Sequence, residues 1–218
     1  MKMLALCLSA LIAPAVATAA TVIRSPSTIV SNTMGEFAPG DLAHVIDQSG
    51  LSIGFVSGVT AFDPYIASNP IHTLIYSGFE WFSSPNVTSG TLIFDLGASY
   101  ALPKLALWDE EFSGIESMTV SVSDSLVFGA AVGTFNPFNN PQGANYPAEV
   151  FNLGGAVGRY VKLDLRCPQP NFLYNGCSMG EIAFATDVPG IPEPGTYGLM
   201  SLGLGVLAWA SRTARRAR

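Results

Sequence analysis

Apolar and polar residues alternate with a period of two along several short stretches of the chain. In the run Ser117–Ser123, Met118, Val120 and Val122 alternate with serine and threonine. The same pattern predicts strands at residues 91–96, 159–165 and 181–185, and short apolar runs predict two more at 105–108 and 150–153. Because alternation leaves one face buried and one wet, it is typical of antiparallel sheets in sandwiches and barrels.

Helical periodicity is confined to one short segment, residues 41–47. Pro39-Gly40-Asp41 can begin a helix there, and Leu42, Val45 and Ile46 would share one face. No internal repeat and no domain boundary is evident in residues 20–187. The pattern therefore predicts a single all-β domain over residues 20–187, with about two turns of helix near its start.

The N-terminal residues 1–19 have the features of a secretory signal peptide. Lys2 precedes an apolar run from Leu4 to Ile12, and Ala17-Thr18-Ala19 supplies the small residues of a cleavage site. A buried N-terminal helix is the alternative, which Pro14 and the Ser/Thr/Pro-rich sequence after Ala20 disfavour. The sequence therefore predicts an exported protein.

The C-terminal residues change character twice. Residues 188–195 form a Pro/Gly linker, residues 196–211 carry no charge, and four arginines follow: Arg212, Arg215, Arg216 and Arg218. A helix of roughly 15 apolar residues is about 22 Å long, less than the ~30 Å hydrocarbon core of a bilayer. The arginines would stay on the cytoplasmic side. The segment predicts a marginal and therefore temporary membrane anchor, with an ordinary single-pass anchor as the alternative.

The order of features in this tail resembles the PEP-CTERM sorting signal. Pro192-Glu193-Pro194 is followed by the apolar segment with Gly203 and Gly205 and by the terminal arginines. The resemblance implies that an exosortase-type membrane protease of Gram-negative bacteria processes the chain near the PEP tripeptide. The protein would be held at the inner membrane before processing and would then reach the cell surface or the extracellular space.

Charge separates the body of the chain from its ends. Lys2 and the four terminal arginines hold half of the ten cations, whereas all sixteen acids lie between them. Apolar residues make up 49% of the chain and charged residues 12%, which excludes disorder driven by charge. An acidic body with few cations is also a poor partner for nucleic acid. Cys167 and Cys177 have no third cysteine or histidine near them in sequence, which disfavours a zinc site at this pair.

Cysteine usage predicts one disulfide. Cys7 would leave with the signal peptide, so that Cys167 and Cys177 would be the two thiols to reach an oxidising compartment. They flank the same loop. We therefore expect a bond between them.

The body of the chain resembles the discoidin, or F5/8 type C, family of galactose-binding-like domains. The matching segments follow the order of the family: an early acidic loop at 45–50, Trp81-Phe82-Ser83, the "FDLG" of residues 94–97, the strand at 119–124, "GRYVKL" at 158–163 and "GEIAF" at 180–184. The resemblance implies a single jelly-roll β-sandwich. It also implies a non-catalytic role in binding glycan or a surface partner.

This resemblance further implies a structural calcium ion between the early loop and the final strand. Asp47, with Asp63 as a substitute, and Glu181 would supply carboxylates, and carbonyls of the Gln48-Ser49-Gly50 turn and water would complete the shell. The alternative is that the acids are solvated, or that Glu181 pairs with Arg159 or Lys162.

No arrangement of residues indicates catalysis. His72 lacks the surroundings of a nucleophile elbow and is interpreted as a surface or structural residue, and His44 as solvated. The acidic run Asp109-Glu110-Glu111 is interpreted as a solvated loop, with a weak cation site as the alternative. Glycosidic cleavage needs two carboxylates that face each other across a cleft at about 5–9.5 Å, and adjacent residues of one loop do not indicate such an arrangement.

Aromatic residues in loop-like sequence are the candidates for ligand binding. Rings beside amide side chains suit a sugar, whose C–H face stacks while its hydroxyl groups pair with the amides. The alternative is that these rings pin long loops onto the sandwich. The residues are Tyr65, Phe138, Tyr146, Phe172 and Tyr174.

The predicted function is that of an exported binding or matrix protein of the cell envelope or extracellular polysaccharide. The matrix role follows from the tail, since proteins with this signal are commonly linked to exopolysaccharide and biofilm. A small hydrolase acting on surface polysaccharide and a structural coat protein without a ligand are the alternatives.

Overall fold

The computed structural model of the protein describes residues 21–74, 77–111, 113–168 and 172–187. The predicted signal peptide and the C-terminal tail lie outside these residues. Two short helices are present, α1 (His44–Asp47) and α2 (Phe62–Ala67). The ten strands are β1 (Thr21–Arg24), β2 (Thr28–Asn32), β3 (Ile71–His72), β4 (Trp81–Phe82), β5 (Ser89–Asp109), β6 (Ser117–Ser123), β7 (Gly133–Phe135), β8 (Tyr146–Pro147), β9 (Glu149–Arg166) and β10 (Ser178–Asp187).

Eight of the strands form one antiparallel network in the order β1-β10-β5-β9-β6-β7. Strand β2 adds to β5, and β4 adds to β10, while β3 and β8 pair separately. The network connects distant parts of the sequence, because the first strand, β1, pairs with the last, β10, from Thr21 opposite Asp187 to Arg24 opposite Phe184.

Two long strands bend and so divide this network into two layers. The first half of β5 pairs with β2, and its second half pairs with β10. Between these halves the register of β5 against β9 shifts twice, from Asp95 to Tyr100 and from Leu102 to Lys104. Apolar side chains from both halves belong to the same core, so the halves face each other as a sandwich. They include Leu92, Phe94, Leu105, Leu107, Phe151, Val161, Leu163, Ile182 and Phe184.

The sequence therefore predicts too many strands here, since it separates 91–96 from 105–108 and 150–153 from 159–165. Each pair is one continuous strand, β5 or β9. Gly97 and Gly154 adopt left-handed backbone conformations, with φ of 83° and 65°. In sequence such glycines look like turns between strands, but here they bend strands that continue past them.

Strand β10 is buried on both faces. One face joins the core between the layers, and on the other face Ala183 and Ala185 pack in a second cluster that includes Phe62 and Tyr65 of α2. The predicted all-β sandwich is confirmed. The predicted helix at 41–47 is shortened to α1, and α2 was not predicted because six residues give too little periodicity to detect.

The two ends of the sandwich are named here by what they contain. At the disulfide end, β9 leads into Cys167 and Cys177 leads into β10, and β6 begins with Ser117 opposite Arg166. At the exit end, β6 finishes with Ser123 opposite Tyr160. Phe184 is opposite Leu105, and Leu102 is opposite Ala156, which places the last residue of β10, Asp187, beside the bend of β9 at the exit end.

Candidate functional site

The predicted disulfide between Cys167 and Cys177 is confirmed. Their Cα atoms are 5.1 Å apart, and Cys177 is fully buried in the core. The backbone of Cys177 also holds the neighbouring loop, since its carbonyl accepts from the N–H of Ser83 at 2.8 Å and its own N–H donates to Ser83 Oγ at 2.9 Å. The bond thus fixes two loops at one end of the sandwich.

An aromatic group lies on these fixed loops. Phe37 stacks on Tyr174, with ring centroids 5.6 Å apart and planes inclined by 18°. Phe82 meets Tyr174 edge-on with ring centroids 5.5 Å apart, and the Tyr174 hydroxyl donates to the Ser83 carbonyl at 2.5 Å. Phe37 remains 44% exposed. Tyr174 is therefore held rigidly, with a second ring beside it that faces solvent.

Amide groups flank the rings. Asn175 Nδ2 donates to Asn86 Oδ1 at 2.9 Å, and the Asn86 N–H donates to the Asn175 carbonyl at 2.8 Å. Phe172 is exposed in the same loop. Phe37, Phe172, Tyr174, Asn86 and Asn175 are called the aromatic surface below. It combines apolar ring faces, on which the C–H face of a sugar can stack, with amide groups that can hydrogen-bond to the sugar hydroxyls.

The structure divides the five aromatic candidates. Phe172 and Tyr174 belong to the aromatic surface, and Phe138 is 64% exposed in the loop that follows β7, also at the disulfide end. Tyr65 and Tyr146 were expected to be exposed, but both are buried. Tyr65 lies on α2, where its hydroxyl donates to the Ile53 carbonyl at 2.6 Å and its ring packs on Phe55. Those two rings hold loops in place.

His72 is a buried structural residue. Its Nε2 lies 2.9 Å from the Ser49 carbonyl, and its Nδ1 lies 3.0 Å from both the Thr73 carbonyl and the Tyr146 hydroxyl. Burial lowers the pKa of His72, and hydrogen bonds to Thr73 and Ser49 oppose that shift. Sequence alone could not separate this position from the surface.

The acidic run Asp109-Glu110-Glu111 is buried, which corrects the interpretation as a solvated loop. Both carboxylate oxygens of Asp109 accept from the N–H of Ile115, and Glu110 Oε2 accepts from Ser178 Oγ at 2.9 Å. These carboxylates organise the connection between β5 and β6. Polar groups that fold a loop inward are hydrogen-bonded in this way because burial is otherwise costly.

Burial also raises the pKa of several carboxyl groups at this end. The pKa of Asp109 lies well above its ordinary value for this reason. Desolvation raises the pKa of Glu80 to about 6. Backbone hydrogen bonds lower this pKa, and the charge of Glu111 raises it by a smaller amount. Burial at the disulfide end therefore makes Asp109 and Glu80 retain a proton to higher pH than a carboxyl group in water does.

Asp47 and Glu181 lie close together, as the calcium prediction requires. Glu181 is fully buried on β10, and its Oε2 accepts from the N–H of Gln48 at 2.7 Å, whereas its Oε1 has no hydrogen-bond partner. Burial raises the pKa of Glu181, and the charge of Asp47 raises it further. An isolated buried carboxylate oxygen fits a cation.

The other residues considered for this site lie elsewhere. Asp63 is on α2 and pairs with Lys104 at 2.6 Å. Arg159 and Lys162 pair with Asp95 and Asp164 rather than with Glu181. No group of three or more His, Cys, Asp or Glu side chains able to hold a metal occurs among the residues that the structure describes. A cation beside Glu181 would therefore need carbonyl and water ligands as well.

The tail of the chain is identified by its sequence family. Residues 190–216 match the family described as the PEP-CTERM protein-sorting motif. The chain carries a PEP-CTERM sorting motif. The match includes the tripeptide Pro192-Glu193-Pro194 and three of the four arginines, all of which lie outside the described residues. The PEP-CTERM motif implies export, membrane anchoring before processing, and processing by an exosortase.

Several solved structures resemble the sandwich that precedes the PEP-CTERM motif. The C-terminal domain of a chitobiase from Bacteroides fragilis is 19% identical, with a TM-score of 0.48, covering 77% of this chain and 99% of that one. The module CBM32-1 of a family 31 glycoside hydrolase from Clostridium perfringens is 15% identical, with a TM-score of 0.46 and coverages of 74% and 96%.

A third similar structure is the family 32 carbohydrate-binding module of NanJ from C. perfringens, solved in complex with galactose. It is 12% identical to this chain, with a TM-score of 0.44, and covers 75% of this chain and 99% of its own. No curated protein matches the sequence. Across the described residues, the structure contains no helix with the length and apolar character needed to cross a membrane.

Proposed function

We propose that this PEP-CTERM protein is a non-catalytic glycan-binding protein of the cell envelope or extracellular polysaccharide, and that the aromatic surface is its binding site. The observation that carries the proposal is the exposed ring of Phe37, stacked on the fixed ring of Tyr174 and close to the amides of Asn86 and Asn175. The sorting motif supports the proposal, because it implies that the domain is exported.

The construction of the aromatic surface suits binding more than catalysis. Phe37 is stacked on Tyr174, which is itself held by Phe82 and through its hydroxyl, so that the exposed ring of Phe37 lies on a rigid support when a ligand stacks on it. The carboxylates that a glycosidase would need are instead folded inward at Asp109 and Glu110. A hydrolase is the second candidate, and shortening of native polysaccharide by purified protein would reveal it.

The position of the aromatic surface also fits a tethered binding protein. The chain leaves the domain at Asp187, at the exit end, whereas the aromatic surface is at the disulfide end. Strand β10 has ten residues and joins the two ends, so they are about 33 Å apart. While the tail is in the membrane, the surface can therefore face away from it.

Binding to an array of bacterial glycans, and retention on the native exopolysaccharide, would test the proposal. We expect Phe37→Ala to lower affinity about tenfold, because a stacked aromatic at a binding centre contributes more than 1 kcal/mol. Tyr160→Ala is the matched control, since Tyr160 is a half-buried ring at the exit end. Equal retention of the two variants, or no binding by the parent protein, would contradict the proposal.

We also infer that Asp47 and Glu181 hold a structural calcium ion. The unpaired Oε1 of Glu181 and the nearby Asp47 carboxylate support it. Calcium accepts six to eight oxygen ligands. The carbonyls of Gln48, Ser49 and Gly50 each accept one hydrogen bond already, so each would bind the ion through its second lone pair. When bound, the ion would neutralise the two carboxylates and link α1 to β10.

For maturation, we propose removal of residues 1–19 and cleavage near Pro194. Intact-mass measurement of the protein from a host with an exosortase would show the loss of both segments. A mature chain that still contained Arg218 would contradict the second cleavage.

A further inference from the structure

An apolar loop at the exit end is exposed to solvent. Residues 126–132 read Leu-Val-Phe-Gly-Ala-Ala-Val, seven residues without a polar side chain, between β6 and β7. Val127 is 81% exposed and Leu126 is 53% exposed. Water-exposed runs of this kind are unusual on a soluble surface and mark sites of interaction.

The bend of β9 extends this apolar region. Val157 is 62% exposed, and the next residue, Gly158, packs so closely on the backbone of Ser123 that a Cβ would lie 2.7 Å from it. The loop and the bend are thus held side by side. Leu126, Val127, Phe128, Val132 and Val157 are called the exit surface below.

The path of the chain indicates what covers the exit surface. Asp187 ends β10 at the same end of the sandwich, and the apolar segment of the tail begins at Thr196, nine residues later. Nine extended residues reach at most about 30 Å. Before processing, the tail therefore keeps the exit end within one linker length of the bilayer.

The residues around the exit surface have the arrangement of an interfacial contact. Lys162 lies with its Nζ 5.7 Å from the centroid of the Phe128 ring, and Arg159 lies two residues beyond Val157. Both cations also pair with acids, Asp164 and Asp95, and Asp124 is at the base of the loop. The Lys162 cation beside the Phe128 ring suits the boundary between acyl chains and headgroups, where cationic and aromatic side chains are usual.

We propose that the exit surface lies in the membrane interface while the tail is uncleaved, so that the domain stands on the bilayer instead of moving freely on its linker. This inference rests on the membrane anchoring included in the proposed function. The occupant is the lipid surface beside the chain's own anchor. A second copy of the chain or the processing protease would be a different occupant, and the test separates them.

The test uses the full chain with its tail intact, reconstituted in phosphatidylethanolamine–phosphatidylglycerol vesicles. Trp209→Phe removes the tryptophan of the tail, and Trp81 and Trp108 are fully buried. Val127→Trp then reports on the exit surface. Leu173→Trp is the matched control, because Leu173 is 65% exposed at the disulfide end. Val157→Trp is a second probe of the exit surface.

We expect bromine-labelled acyl chains to quench about half of the emission added by Val127→Trp or Val157→Trp, since interfacial side chains lie about 5–10 Å within the headgroup boundary. The emission added by Leu173→Trp should stay unchanged. Absence of quenching in vesicles that float with bound protein would overturn the inference alone. Failure to float would overturn the anchoring as well. Shielding from water without bromine quenching would indicate a protein partner and would also overturn the inference.

Discussion

The same long strands form both ends of the sandwich, yet polar residues are buried at one end and apolar residues are exposed at the other. At the disulfide end, acids and serines such as Asp109, Glu110 and Ser178 are buried and hydrogen-bonded. At the exit end, Leu126 and Val127 are exposed. The strands between them follow the ordinary rule, with apolar side chains inward.

The buried polar residues of the disulfide end serve the fold, whereas the exposed apolar loop of the exit end does not. Buried polar contacts are required at the disulfide end because its loops are long and fold back over the core. The exit end is closed by bends within strands, so its loop between β6 and β7 is not needed to cover the core. Mutations of the buried polar residues should therefore affect stability, whereas mutations of the exit loop, like those of the exposed aromatic surface at the disulfide end, should affect interactions.

The largest expected effect is from loss of the disulfide. The Cys167→Ser, Cys177→Ser double variant should lower the free energy of unfolding by about 3 kcal/mol, because the bond closes a loop between residues ten apart in sequence. Denaturant unfolding measures the change. Thiol titration of the unfolded, unreduced parent protein should give no free thiol. Two free thiols per chain would show that the bond does not form in the mature protein.

Calcium bound between α1 and β10 should stabilise the folded protein at the disulfide end. At a concentration of one hundred times Kd, a ligand specific for the native state adds about 2.7 kcal/mol, which is seen as a higher Tm. Glu181→Gln should abolish the increase. Glu116→Gln is the control, because Glu116 pairs with Arg166 away from this loop. An identical Tm in excess calcium and excess chelator would contradict the site.

The buried acids should make the protein less stable as the pH rises. The pKa of Glu80 is raised from its ordinary value of 4.5 to about 6, mainly by desolvation. A raised carboxyl pKa gives stability that is complete below the unfolded pKa and is lost as the pH rises through the folded pKa. The loss for Glu80 should be about 2 kcal/mol between pH 4 and pH 7.

Denaturant unfolding in the presence of chelator measures this dependence. Glu80→Gln should reduce the loss, whereas Glu36→Gln, on an exposed loop, should not. A pH dependence that is the same in Glu80→Gln and in the parent protein would contradict the raised pKa of Glu80. The comparison of the two proteins is required because His72, whose pKa burial lowers, adds stability as the pH rises over the same range.

The smallest effect is expected at the exit end. Val127→Ser should change the free energy of unfolding by less than about 0.5 kcal/mol, since the side chain is 81% exposed. The same variant should weaken contact with vesicles. A loss of more than 1 kcal/mol would mean that the loop supports the fold, and the contrast between the ends would then be wrong.

The strands were predictable where alternation is regular, and their continuity was not. Residues 117–123 form β6, and Met118 and Val120 are buried as the alternation predicts, although Ser121, predicted on the wet face, is buried as well. The join of β5 across Gly97 depends on pairing with β9, which lies more than fifty residues away in sequence. Such pairing is a property of the folded chain that local sequence does not contain.

The candidate site was partly predictable for a similar reason. The disulfide followed from counting cysteines, and Phe172 and Tyr174 followed from aromatic residues near asparagine. Phe37 was missed, because its place beside Tyr174 is created by the return of a distant loop. The burial of Glu110 was missed as well, since its partners Ser113 and Ser178 come together only when β10 joins the sheet.

The pairing of β1 with β10 sets a condition on when the protein can finish folding. β1 begins at Thr21, directly after the predicted signal peptide, and its partner is the last strand of the domain. During export the N-terminal residues emerge first, and β1 lacks its partner strand β10 until almost the whole chain has been translocated. The sheet can close only when Asp187 has crossed, and by then only the linker and the tail remain to be exported. Completion of the native structure therefore coincides with arrival of the sorting motif at the membrane.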